Sequence, residues 1–185
     1  MRVPLFQYPS FQYQVSDWEF KRKGILKRIS KQEFYRTELQ DFETDRLSNN
    51  KSYVTYMAEL LAPELTEFCQ EAEVTCSMTE AWTVRYSKGD HQTVHNHRSW
   101  GYSGILYVEY DPTVHTPATF VAPWQQPNTD TTFLARPAYI TEGTIFIVPS
   151  YTLHYVEPNK VRKPRTVISF DLVPDTPQHR AINSE

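Results

Sequence analysis

Apolar side chains recur at helical intervals in the first part of the chain, from about Ser16 to Ala72. Ser16 and Glu19 have the spacing of a capping box, in which the two side chains satisfy backbone N–H groups at a helix start. Pro63 suits the first turn of a later helix in the same region. We therefore expect several helices here. The residues that offer caps for the second of them are Asn49, Asn50 and Ser52.

From Val74 onward the pattern changes to short runs rich in Val, Ile, Tyr and Thr, which are residues that strands prefer. Turn-forming stretches such as SKGD, YDPT and PNKVRKP separate these runs. Many short strands in succession are typical of a β-sandwich or barrel. The predicted fold class is therefore α+β, mainly β, with N-terminal helices packed on a β-sandwich. The predicted strands are Ala81–Tyr86, Gly104–Tyr110, Ala118–Val121, Thr144–Val148 and Thr166–Leu172.

The length of 185 residues predicts one domain with its own hydrophobic core. We expect residues 1–73 to form a mainly helical support, residues 74–173 the β core, and residues 174–185 a polar tail. Hydrophobic residues make up 39% of the chain and aromatic residues 14%, which excludes an intrinsically disordered protein.

The net charge, the N-terminal sequence and the cysteine content indicate which partners and which cellular location to expect. The formal net charge of -3 gives no reason to expect a nucleic-acid partner. The N-terminus has no apolar signal-peptide core, and no stretch approaches 18 consecutive apolar residues, so we expect no membrane partner. Cys69 and Cys76 match no zinc-binding spacing, and two cysteines cannot form a disulfide framework. A reducing cytoplasm is the predicted location.

Three of the six histidines are candidate metal ligands. His95 and His97 form an H-x-H pair, and in an extended segment such residues point to the same side. A pair of surface histidines is the alternative. His154 follows an apolar strand and a Pro-Ser turn, where its ring needs a partner, either a metal or a backbone carbonyl. Three imidazoles with open coordination positions suit iron in an oxygenase, and also zinc, copper or nickel.

Arg165 lies eleven positions after His154, at the start of a predicted strand. It could be a surface residue in a basic cluster with Lys160, Arg162 and Lys163. It could also point into the sandwich, where a guanidinium would bind a carboxylate through two parallel hydrogen bonds. The sequence pattern leaves both interpretations open.

At these residues the chain resembles a known family. The run from Trp82 to Val173, which contains WTVRYSKGDHQTVHNH, SGILYVEYDP, EGTIFIVPSYTLHYVEPN and RTVISFDL, resembles the double-stranded β-helix core of Fe(II)/2-oxoglutarate-dependent oxygenases of the prolyl-hydroxylase type. It is similar to a group of such oxygenases in phages and marine bacteria, which implies a jelly-roll core and, for a phage protein, the host cytoplasm. The resemblance implies that the iron ligands of the catalytic centre are His95, His97 and His154, and that the 2-oxoglutarate contacts are Arg165, Tyr107 and Tyr86.

The chain departs from the family's pattern at one position, and it also resembles a second family. The family's second ligand is a carboxylate, whereas this chain has His97, so three imidazoles leave the charge of the metal uncompensated. The same segments also resemble cupins, because Gly89 precedes the H-x-H pair at the first cupin motif's spacing and Gly143 precedes His154 at the second's. A three-histidine cupin dioxygenase without 2-oxoglutarate is therefore an alternative, and a non-catalytic β-sandwich binding module is another. Arg165 is explained only by the oxoglutarate interpretation.

The family's activity implies Fe(II), 2-oxoglutarate and O2 as cofactor and cosubstrates, with 2-oxoglutarate decarboxylated to succinate while a substrate C–H bond is oxidised. The expected substrate is a small molecule or a peptide, and assembly as a monomer or a homodimer stays open. The segment from Pro112 to Pro137 is a candidate lid. Aromatic residues that could line a substrate groove are Trp100, Tyr102, Phe120, Trp124 and Phe133.

Overall fold

The structure is a computed structural model that describes residues 9–36, 41–48, 50–126, 128–129 and 131–175. Residue 49, His179 and most of the predicted tail lie outside this set, so the tail prediction and the capping role of Asn49 are not addressed by it. Among the described residues, no helix combines the length and the apolar character needed to span a membrane.

The helices lie where the apolar periodicity predicts them. They are α1 (Trp18–Ile29), α2 (Lys51–Leu60) and α3 (Ala62–Glu71). Asn50 caps α2 as predicted, since its side chain accepts hydrogen bonds from two backbone N–H groups of the first turn. Pro63 occupies the first turn of α3, where a missing N–H costs nothing.

The predicted capping box at Ser16 is wrong. Helix α1 begins after Asp17, which adopts a left-handed conformation (φ 51°) and makes no side-chain cap. The N–H and hydroxyl of Ser16 instead donate to Oε1 of Glu64, at 2.7 and 2.9 Å. The N–H and hydroxyl of Ser16 therefore bind a buried carboxylate on α3, whereas the local spacing predicted that they would cap the helix start.

The strands form two antiparallel sheets. The large sheet has the order β1 (Phe11–Gln14), β8 (Thr144–Pro149), β5 (Tyr102–Glu109), β10 (Arg165–Pro174), β3 (Cys76–Tyr86) and β2 (Glu43–Thr44). The small sheet has the order β4 (Gln92–His95), β9 (His154–Val156), β6 (Thr119–Gln126) and β7 (Thr131–Ala135). Each of the five strands predicted from sequence corresponds to a longer strand here.

Side chains alternate between two core layers because successive strand residues point to opposite faces. On β10, Ile168, Phe170 and Leu172 pack in the layer between the large sheet and the helices. Val167 of the same strand packs in the layer between the two sheets. Arg165 shares the inner face with Val167 and lines the cavity between the sheets. The alternation of β10 therefore places a cation in the interior.

Two parts of the chain supply strands that the sequence pattern did not predict. The N-terminal region contains β1 and β2 beside its helices, and these strands join opposite edges of the large sheet. The candidate lid between Pro112 and Pro137 begins as a loop and then supplies β6 and β7 of the small sheet. The strands β1, β2 and β7 lie at sheet edges, and their short or exposed runs carry a weak periodic signal.

Candidate active site

The three candidate ligands converge at one end of the small sheet. His95 is the last residue of β4, and His154, the first residue of β9, is its direct partner across the sheet. His97 follows two positions later, and its backbone N–H donates to the carbonyl of Ser150, in the turn between β8 and β9, at 3.0 Å. One ligand atom from each ring lies within 4.8 Å of the others. The prediction that the three histidines come together is confirmed geometrically.

Hydrogen bonds determine which nitrogen of each ring is free. Nδ1 of His95 lies 2.8 Å from the carbonyl oxygen of Thr93, and Nδ1 of His154 lies 2.9 Å from that of Thr152. Since a carbonyl oxygen only accepts, Nδ1 carries the hydrogen in both rings and Nε2 has a lone pair. This tautomer is the one that a metal-binding histidine needs.

His97 is oriented by a carboxylate. Its Nδ1 lies 2.8 Å from Oδ1 of Asp171, which is 1% exposed. Burial raises the pKa of Asp171, but the hydrogen bonds from His97 and Ser103 and the charge of Arg98 outweigh it and hold that pKa below its usual value. An ionised carboxylate only accepts, so His97 also carries its hydrogen on Nδ1.

Burial keeps two of these imidazoles neutral. It lowers the pKa of His154 to about 3, with a further contribution from the neighbouring His95. Burial also lowers the pKa of His95. A neutral imidazole is the form that binds a metal ion, so both rings are ready to act as ligands at neutral pH.

The triad opens onto a cavity of about 60 Å³ between the two sheets. Because roughly 10–15 Å³ of such space accommodates one water molecule, the cavity has room for a short chain of non-hydrogen atoms. Its wall is divided about equally between polar and apolar surface. The side chains that define it include Trp82, Ile105, Val156 and Val167, and on the polar side His95, His97, His154, Tyr86, Tyr107 and Arg165.

Arg165 is buried, so its interpretation as a surface residue is excluded. It is 2% exposed, and its Cζ lies 4.3 Å from the centroid of the Tyr86 ring. Nη1 donates to the carbonyl of Thr116 at 2.5 Å. Within the described part of the chain, Nε and Nη2 have no hydrogen-bond partner. A buried guanidinium with unpaired N–H groups is costly unless a ligand acceptor completes it.

The two tyrosines line the same cavity but differ in how their hydroxyls are used. The Tyr107 oxygen accepts from the N–H of Ala118 at 3.3 Å, which leaves its hydrogen to donate. The Tyr86 hydroxyl donates to Oε1 of Gln92 at 2.7 Å. The amide of Gln92 in turn donates to Nε2 of His95 at 3.1 Å, so a metal ion bound to His95 would replace that hydrogen bond.

The two other histidines in the described part of the chain do not join the triad. His91 lies 3.4 Å from a carboxylate oxygen of Asp41. His115 is buried, with Nε2 bound to the carbonyl of Lys163 at 3.1 Å and Nδ1 accepting from the N–H of Asp111. These two residues therefore have structural partners.

Comparison with known families agrees with this geometry. Residues 80–171 match the model of a family described as "Putative 2OG-Fe(II) oxygenase". The matched stretch contains all three histidines and Arg165. The chain belongs to the Fe(II)/2-oxoglutarate-dependent oxygenases. Members of this superfamily use Fe(II), 2-oxoglutarate and O2, as the sequence analysis expected. No curated protein matches the sequence.

Solved structures of oxygenases share the fold of this oxygenase. HygX from Streptomyces hygroscopicus, with nickel, 2-oxoglutarate and hygromycin B bound, has a TM-score of 0.68 at 10% identity, over 91% of this chain and 84% of HygX. The epimerase SnoN from nogalamycin biosynthesis has a TM-score of 0.69 at 11% identity, over 90% and 78%. A Pseudomonas putida prolyl-4-hydroxylase has a TM-score of 0.57 at 13% identity, over 89% of this chain and 92% of the hydroxylase. These likenesses confirm the predicted double-stranded β-helix.

The residues present fit both groups that the family uses. Three imidazole Nε2 lone pairs, of which that of His95 accepts from the exchangeable Gln92 amide, form a donor set that iron accepts. The unpaired N–H groups of Arg165 match the second carboxylate of 2-oxoglutarate, in the cavity that the triad also lines. The three-histidine cupin alternative gives no reason for this buried cation.

Sequence reasoning missed two polar residues of the site. The sequence pattern did not single out Asp171, although its place on the same face of the strand as Arg165 was a usable signal. Gln92 gave no signal, because its contact with His95 depends on how β4 bends: the pairing of β4 with β9 shifts register between these two residues.

Proposed function

We propose that this oxygenase is a hydroxylase-type enzyme that oxidises a C–H bond of a small-molecule or peptide substrate. In this proposal His95, His97 and His154 hold Fe(II), and Arg165 with Tyr107 holds 2-oxoglutarate. Tyr86 packs against the guanidinium and completes the cosubstrate pocket.

One observation carries the proposal: Arg165 lines the cavity that the histidine triad also lines, and two of its buried nitrogens have no partner among the described residues. A desolvated cation without an acceptor is unfavourable, and a carboxylate of a bound ligand would remove the deficit through charge-assisted hydrogen bonds. 2-Oxoglutarate has one carboxylate for such a cation and a 2-oxo acid group that can chelate a metal. The pairing of triad and cation therefore favours this cosubstrate.

When bound, Fe(II) and 2-oxoglutarate would supply the oxidative chemistry, with decarboxylation of the cosubstrate to succinate. The protein's own residues bind and orient. Arg165 fixes the far end of the cosubstrate, and the Tyr107 hydroxyl has a hydrogen to donate beside it. Apolar neighbours such as Ile105 and Val167 keep water from this end of the cavity, which strengthens the charged contact.

Both substrate classes are represented among similar structures. HygX has been solved with hygromycin B and SnoN with nogalamycin RO, which are small molecules. A viral collagen prolyl hydroxylase, at 11% identity with a TM-score of 0.54, represents the protein substrates. We extend to this chain only the class of reaction, a C–H oxidation coupled to 2-oxoglutarate.

The test is succinate formation by the purified protein with Fe(II), ascorbate, O2 and 2-oxoglutarate. We expect slow substrate-independent turnover in wild type and in His115→Ala, whose histidine lies outside the triad, and none in His154→Ala. A protein that holds iron but forms no succinate and does not bind 2-oxoglutarate would contradict the proposal. It would favour the three-histidine dioxygenase alternative.

A further inference from the structure

A buried carboxylate lies directly behind one of the three candidate ligands. Oδ1 of Asp171 accepts from Nδ1 of His97 at 2.8 Å and from the hydroxyl of Ser103 at 2.7 Å. Oδ2 accepts from Nε of Arg98 at 3.3 Å. Three donors, one of them a guanidinium, therefore converge on this buried carboxylate.

The strand framework fixes the position of this carboxylate. Asp171 belongs to the central strand β10, opposite Ser103 of β5 on one side and Glu80 of β3 on the other. The pairing with β3 shifts register between Asp171 and Leu172, where β3 has one extra residue, Thr79. Strands on both sides of β10 therefore hold the carboxylate against His97.

Asp171 is placed to act through His97 and not as a ligand itself. Its oxygen contacts Nδ1, whereas the lone pair available to a metal is on Nε2, on the far side of the ring. The side chain of His97 is 6% exposed and also packs against Trp82, with ring centroids 5.4 Å apart. The imidazole thus lies between the carboxylate and the position of a metal ion.

Charge explains why such a carboxylate matters in this chain. Three neutral imidazoles leave both positive charges of a divalent ion uncompensated. A carboxylate that accepts the other N–H of a ligating histidine fixes its tautomer and makes the ring a stronger ligand. In the other two triad rings Nδ1 donates to the backbone carbonyls of Thr93 and Thr152, which carry no charge. His97 is therefore the one ring of the triad with an anionic partner.

We propose that Asp171 is a positioning residue that supplies, through His97, the negative charge that the three-histidine centre lacks among its direct ligands. This inference rests on the proposed role of the triad in binding a metal. It does not depend on 2-oxoglutarate turnover, so the two can be tested separately.

The test uses metal affinity and ring tautomer, measured without 2-oxoglutarate or O2. The variants are Asp171→Asn, which keeps the shape and an acceptor, and Asp171→Ala. The matched control is Glu64→Gln, because Glu64 is also buried and hydrogen-bonded but joins Ser16 to α3, apart from the cavity-lining residues. Affinity for Zn(II), a redox-silent ion that imidazoles also bind, is measured by competition with a chelator. Ring 15N NMR of the protein without added metal reports the tautomer of His97.

We expect Asp171→Ala to lower Zn(II) affinity about 10- to 100-fold and to shift His97 away from the Nδ1–H tautomer. Asp171→Asn should keep the tautomer, because its oxygen still accepts, yet lose part of the affinity with the charge. Glu64→Gln should match wild type in both measurements. Wild-type affinity in Asp171→Asn would overturn the role of the charge. Wild-type affinity and tautomer in Asp171→Ala would overturn the proposal as a whole, and if that variant does not fold, Asp171→Asn decides alone.

Discussion

In an Arg165→Met variant, a flexible apolar side chain takes the place of a buried guanidinium with two unpaired nitrogens. One charge-assisted contact to a carboxylate contributes about 1.5–3 kcal/mol. Its loss corresponds to a roughly 10- to 150-fold weaker affinity for 2-oxoglutarate. Arg165→Lys should have a milder effect but not a neutral one, because lysine keeps the charge and loses the planar pair of donors.

The free energy of unfolding should respond to Arg165→Met differently from the affinity for 2-oxoglutarate. The substitution gives up the hydrogen bond to the Thr116 carbonyl but also removes two buried donors that have no protein partner. The variant removes two unsatisfied donors and leaves one carbonyl oxygen without its donor, and each such group costs about 1–3 kcal/mol, so we expect the free energy of unfolding not to fall. A typical large-to-small core substitution would cost about 2–5 kcal/mol.

The assay is titration of the iron-loaded protein with 2-oxoglutarate without oxygen, beside denaturant unfolding. The matched control is Arg162→Met, since Arg162 is an exposed cation of the same segment. A second control is 2-oxobutyrate, which has the chelating group but no second carboxylate and should bind equally to wild type and Arg165→Met. Equal 2-oxoglutarate affinity in the two proteins would refute the assignment of Arg165.

Three further substitutions test the account of the fold. Asn50→Ala removes the cap of α2 and should lower the free energy of unfolding by about 1 kcal/mol in urea, and an unchanged value would exclude the cap. In Gly104→Ala the new Cβ would lie 2.1 Å from the ring of Phe170, so over-packing should lower the free energy of unfolding by about 1–3 kcal/mol. A variant as stable as wild type would show that the ring can move. Burial raises the pKa of Asp45 above its usual 3.8, so folding favours the protonated carboxyl. The stabilisation from that form is complete below pH 3.8 and is lost as the pH rises through the pKa of the folded state. Asp45→Asn should remove this pH dependence from the unfolding free energy, and a pH-independent difference from wild type would contradict it.

Much of the fold follows from local pattern. The β-rich second part was predictable because runs such as Thr144–Pro149 are apolar and bounded by turn residues. The α2 cap at Asn50 was predictable because capping depends on neighbours within three positions. The hydrogen bonds of Ser16 were not predictable, because its partner Glu64 is far away in sequence and meets it only in the folded chain.

The site divides in the same way. His95 and His97 were predictable as a pair because two positions in an extended segment share a side. Their meeting with His154 required the pairing of β4 with β9, which only the resemblance to a known family supplied at the sequence level. Asp171 escaped prediction because its role depends on a contact across the sheet to His97, and strand alternation alone could not identify that partner.

The most direct test of the central claim is metal stoichiometry together with X-ray absorption on the iron-loaded protein. The account predicts one iron per chain, with imidazole nitrogens at roughly 2.0–2.3 Å, near the values for imidazole on zinc. Stoichiometric binding should be lost in His154→Ala while the fold survives, and kept in His91→Ala, whose ring lies beside Asp41. Full iron occupancy in His154→Ala would contradict the assignment of the triad as the metal centre.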